Sequence, residues 1–269
     1  LIRRWVDTGA SVWVQDNVES WLDTMVPSPL YYVLAERIRM LAKLGVRGYY
    51  AFGNRMFQSD MGELKTYLVG ELTFNASRQV DEVIAEFTNG FYGTGAAPYV
   101  QQYLRLMSDS MQSNSLLKDV YGRERCTQPH TSAACLHWVD WNNAIFANNT
   151  IINAAALLSD ALAATTETRH EQRVNNALMH VQYVILLRWE GLRSYAHRTG
   201  TIWPLSDSLK DEFDRFAATY QANTTTGTEL RQKKGFRHFR FITGSEGQTV
   251  MKTLPHCDLQ CFHAEVFGN

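Results

Sequence analysis

Carboxylates recur where strands are expected to end. Asp16, with Glu19 close behind, follows a short apolar strand expected at residues 11–14. Asp60 and Glu63 follow a second expected strand, residues 46–52, across the polar loop 53–58. Side chains and backbone amides converge at the carboxyl ends of parallel strands, so an acidic group there can move a proton or stabilise charge. Each pair also has a plainer account. Asp60 and Glu63 fit a capping-box-like start for the helix that follows, and Asp16 fits a solvated or capping loop residue. Trp13, Trp21, Tyr49, Tyr50 and Phe52 surround these carboxylates in sequence.

A second set of chemistry-bearing residues lies late in the chain. His256, Cys257, Cys261 and His263 would suit zinc if Cys126, His130, Cys135 and His137 joined them. The four cysteines otherwise read as two local pairs, Cys126 with Cys135 and Cys257 with Cys261. Sequons at Asn75, Asn148 and Asn223 accompany them. An even cysteine count with sequons favours disulfides over a metal and a secreted or luminal compartment. The basic-aromatic run RQKKGFRHFRF resembles a nucleic-acid patch. With a net charge of -1 it is better read as an alternating strand with one charged face. No apolar run approaches the roughly 20 residues needed to span a bilayer.

Ordered elements must position these groups. Ser28 and Pro29 are expected to start a helix in which Leu30, Leu34, Ile38 and Leu41 form one face. Lys43 and Gly45 suit its end. The strand 46–52 and the helix 61–72 repeat the plan, and strand–helix–strand–helix order implies parallel units. Beyond Phe74 only helical spacing persists. Helices are expected around Val80–Phe87, from Pro98 through Met111, over 136–164 and 168–195, and from Ser206 through Tyr220. Val174, Leu178, Val181, Ile185, Leu192 and Tyr195 approach a heptad seam. A strand is expected at 236–242. With 269 residues the chain can hold more than one core. Its first residues, LIRRWV, read as the tail of a helix and imply a piece of a longer protein.

Particular motifs now carry a resemblance: Asp16 after a strand, Pro27-x-Pro29, GVRG at 45–48, QSDMGELKTYL at 58–68, and FYG at 91–93 followed by AAPYVQQYL. Together they resemble the carboxy-terminal half of the domain of unknown function 4838, a glycoside-hydrolase-like family. The resemblance extends over about residues 10–240, with its specific motifs in the first hundred. It implies α/β plus all-α architecture: residues 1–75 as the last two βα units of a (β/α)8 barrel, 76–222 as a helical domain, and 223–269 as a tail with a short strand and a cysteine pair. It also implies action on glycans, with β-linked N-acetylhexosaminides the expected substrates and no cofactor.

Glycoside hydrolysis generally needs two carboxylates. By the resemblance Asp16 is the catalytic candidate, while Trp13, Asn17, Asn54, Arg55, Gln58 and Asp60 are candidate sugar contacts. Where the family commonly reads Glu-Gln-Gly, this chain has Ala51-Phe52-Gly53, so one expected carboxylate is absent. The main catalytic carboxylates are then expected upstream of Leu1. Two other classes stay open: a non-catalytic carbohydrate-binding module, favoured by Ala51, and an interaction protein built on the helical seam.

Overall fold

The computed structural model describes residues 1–18, 25–53, 59–113, 144–225, 239–243, 249–253, 263 and 266–267. A short helix α1 (Ile2–Val6) precedes strand β1 (Trp13–Asn17), helix α2 (Tyr31–Lys43), strand β2 (Gly48–Phe52) and helix α3 (Gly62–Phe74). β1 and β2 pair in parallel, from Trp13 opposite Gly48 to Asn17 opposite Phe52. The βα reading therefore holds. Two parallel strands among the described residues do not by themselves make a barrel.

Three local expectations change. β1 continues through Asn17, so Asp16 lies inside the strand, opposite Ala51. The ladder with β2 carries the polar residues 15–17 into extended structure despite their low strand propensity. α2 begins at Tyr31 with no side-chain cap, and the Ser28 amide donates to Asp60 instead. α3 likewise lacks a capping box: Met61 precedes it in the left-handed region at φ 50°, with no side-chain cap bond. The stop after α2 is as expected. Gly45, at φ +85°, donates to the Ala42 carbonyl while Val46 reaches Leu41, the reversal glycine permits at helix ends.

Helices α4 (Val80–Tyr92), α5 (Ala97–Ser113), α6 (Asn148–Ala163), α7 (Thr168–Leu187), α8 (Trp189–Thr199) and α9 (Leu209–Thr225) complete the helical portion. The helix expected over 168–195 divides at Arg188, whose guanidinium is drawn to the Phe146 carbonyl and the Asn148 side chain. α9 starts at Leu209 rather than Ser206, with the Ser208 hydroxyl accepting from the Asp211 amide. Val174, Leu178, Val181 and Ile185 are buried on α7, as the seam predicts.

One hydrophobic cluster runs from Leu34 and Leu68 through Tyr103, Phe146 and Leu158 to Phe216. The βα units and the helices thus share a core. The strand expected at 236–242 is β3 (Phe239–Thr243), and it pairs antiparallel with an unexpected β4 (Thr249–Thr253). No helix among the described residues is long and apolar enough to cross a membrane.

Candidate functional site

β1 presents alternate side chains to opposite faces. Asp16 turns toward α2. Its Oδ1 pairs with Arg37 Nη1 at 2.5 Å, and its Oδ2 accepts from the Tyr49 hydroxyl at 2.8 Å. Burial, then the Asp16 charge, raises the pKa of Tyr49. Both oxygens of the expected catalytic carboxylate are engaged in joining β1, α2 and β2. Trp13 and Asn17 lie on the opposite face. The Trp13 indole covers Gly48 so closely that a Cβ there would sit 2.1 Å from it.

Asp60 is 1% exposed and serves as a buried acceptor. Its Oδ2 accepts from the Ser28 amide at 2.9 Å and the Tyr31 hydroxyl at 2.8 Å, and its Oδ1 from the Tyr103 hydroxyl at 3.3 Å. Burial and then the Asp60 charge hold both phenols well above their ordinary pKa. The expected helix cap is therefore a junction of the two βα loops with α2 and α5. Its carboxylate points away from open space.

Immediately beside that junction, the loop leading into α3 meets α4, α7 and α9 around a cavity of about 320 Å³. Its polar wall comprises Ser59, Glu63, Arg173, Asn176, His180 and Asn223. Arg173 donates through Nη1 to the Phe91 carbonyl at 2.7 Å, and its guanidinium lies 4.0 Å from the Phe91 ring centroid. The stacking fixes the guanidinium plane. Neither Arg173 nor Glu63 forms an ion pair among the described residues.

His180 Nδ1 lies 2.8 Å from the Met25 carbonyl, which can only accept, so this nitrogen carries the hydrogen. Burial holds the His180 pKa below the ordinary value, against the opposing pull of Asp60. The neutral ring then keeps a lone pair on Nε2. Asn223 Nδ2 donates to Asn176 Oδ1 at 2.7 Å, which aligns both amides in the cavity wall. The arrangement sets a held guanidinium, two held amides and a held imidazole beside the exposed carboxylate of Glu63, suited to a small polyhydroxylated or charged ligand.

Asn54, Arg55 and Gln58 lie outside the described residues, as do Glu19, Trp21, the four cysteines, His130, His137 and His256. No group of acidic, histidine or cysteine side chains among the described residues could hold a metal ion. Asn75 is exposed, and its Oδ1 accepts from the amide and hydroxyl of Ser77. Asn148 is tied to Arg188 and Asn223 to Asn176, both within helices.

The cavity residues of α7 were not singled out from sequence. A signal existed: Arg173, Asn176 and His180 recur at helical spacing beside the apolar seam. Residues 1–105 match the profile of the family described as domain of unknown function (DUF4838). That match covers Ser59, Glu63, Phe91 and Tyr92, while Arg173, Asn176, His180 and Asn223 lie beyond it. No curated protein and no solved structure matches the chain.

Proposed function

We propose that this chain is a portion of a glycoside-hydrolase-like protein acting on glycans, in which the cavity between the βα loops and α7 receives a sugar. The observation that carries this reading is the polar wall at the outlet of parallel βα units, where acceptor Glu63, donor Arg173 and two amides face one space. Hydrolysis of β-linked N-acetylhexosaminides, in a complete (β/α)8 barrel, is the activity we assign to the whole.

A second reading, a carbohydrate-binding module without hydrolysis, is favoured by Ala51, which puts no carboxylate opposite Asp16 in β2, and by the engagement of Asp16 with Arg37 and Tyr49. Calorimetric titration with glycans containing N-acetylhexosamine, beside a hydrolysis assay on the same glycans, separates the two. Turnover supports the hydrolase, and binding without turnover supports the module. Failure to bind any such glycan, or binding unchanged in Glu63→Gln, overturns the sugar reading of this cavity.

A further inference from the structure

The most informative charge in the cavity is Arg173. A half-buried guanidinium stacked on Phe91 and fastened by one bond to a backbone carbonyl has its plane set. Its remaining N–H groups have no acceptor among the described residues. Such a fork matches a carboxylate in two-point geometry. Its neighbours are acceptors or amides: exposed Glu63, Asn176, and His180 with its Nε2 lone pair.

Asp60 is engaged by its own three donors, and its charge reaches the cavity wall at His180. His180 is neutral near pH 7. Glu63 is exposed, so solvent and salt weaken its repulsion of an anion. The cavity therefore presents one oriented cation beside groups that accept hydroxyl hydrogens.

We propose that the cavity is a subsite for an acidic sugar: Arg173 binds the carboxylate of a uronic acid residue, while Glu63, Asn176 and His180 take that sugar's hydroxyls. The proposal rests on the sugar reading above and deepens it. The substrate class becomes a glycan in which a uronic acid neighbours the N-acetylhexosamine. The volume of about 320 Å³ admits one such ring with accompanying water.

The test is calorimetric titration of the purified protein with a hyaluronan tetrasaccharide, which alternates N-acetylglucosamine and glucuronate, against chitotetraose, its neutral counterpart of equal length. The acidic sugar should bind on the order of ten- to hundredfold tighter, the scale of a charge-assisted pair. Arg173→Gln should bring the two affinities within about threefold of each other. Arg173→Lys should restore only part of the preference, because it keeps the charge without the fork.

Equal binding of both tetrasaccharides by the unmutated protein overturns the acidic subsite and leaves the sugar reading standing. Binding of neither overturns both. A preference that persists in Arg173→Gln removes Arg173 from the assignment. Acetate binding as tightly as the tetrasaccharide overturns the sugar component in favour of a simple anion site. The comparison on the unmutated protein decides the acidic preference even if Arg173→Gln fails to fold.

Discussion

Replacing Asp60 by Asn keeps the shape of the buried junction and changes only its chemistry. The carboxylate accepts three bonds, from Ser28 N, Tyr31 Oη and Tyr103 Oη. An amide offers one acceptor and one donor group. Its oxygen can replace Oδ2 before Ser28 and Tyr31, but its NH2 then meets the Tyr103 hydroxyl, which must turn to accept. Converting charge-assisted bonds to neutral ones in a site 1% exposed should cost roughly 2–3 kcal/mol. Asp60→Ala strands all three buried donors and should cost roughly 3–5 kcal/mol.

For a chain of this size the Asn variant should lower Tm by roughly 4–10 °C. Urea unfolding followed by far-UV circular dichroism gives the free energy, and a cycle with Tyr31→Phe gives the coupling. The two substitutions should be non-additive by about 1 kcal/mol, since they share one bond. An Asp60→Asn protein within about 0.5 kcal/mol of the unmutated one, the range of ordinary surface changes, would refute the junction. Full additivity with Tyr31→Phe would refute the shared bond.

Asp16→Asn should cost about 1–3 kcal/mol by weakening the partly buried contacts with Arg37 and Tyr49. In a preparation with measurable hydrolysis, a turnover loss near a hundredfold would place Asp16 in the mechanism, and near-normal turnover would confine it to structure. Folding keeps His180 neutral, so its contribution to stability is present above the ordinary histidine value of about 6.5 and declines as pH falls through its depressed folded value. Unfolding at about pH 7.5 and 5.5 should show that decline, reduced in His180→Asn. Expression through a glycosylating secretory route should modify Asn75, which is exposed, and leave Asn148 and Asn223 bare; mass mapping with glycan on either helical site would reject that ranking.

What the sequence made legible was local. Gly45 ends α2, the apolar stripe of α7 is buried, and strand–helix–strand order yields parallel pairing. Asp60 misled because a capping pattern is written within four residues, whereas its actual donors sit at positions 28, 31 and 103. Met61 stands left-handed before α3 with no side-chain cap bond, and the Asp60 carboxylate is taken up by those buried donors instead. The break at Arg188 also depends on partners distant in the chain, at Phe146 and Asn148. The cavity was least legible, since its wall draws on α3, α4, α7 and α9.

That composite origin bears on what a family match can mean. Residues 1–105 include the parallel strands, both βα loops and the α4 edge that presents the Phe91 carbonyl. The groups that give the cavity its cation, its lone-pair nitrogen and its paired amides come from α7 and α9, outside the match. Because specificity is a difference between affinities set by such groups, proteins sharing the matched region can share the frame and differ in ligand. Under the proposed sugar reading, Arg173, Asn176 and His180 are therefore the positions where substitution should change which ligand is held. Substitution at Asp16 or Asp60 should first change how firmly the frame itself is held.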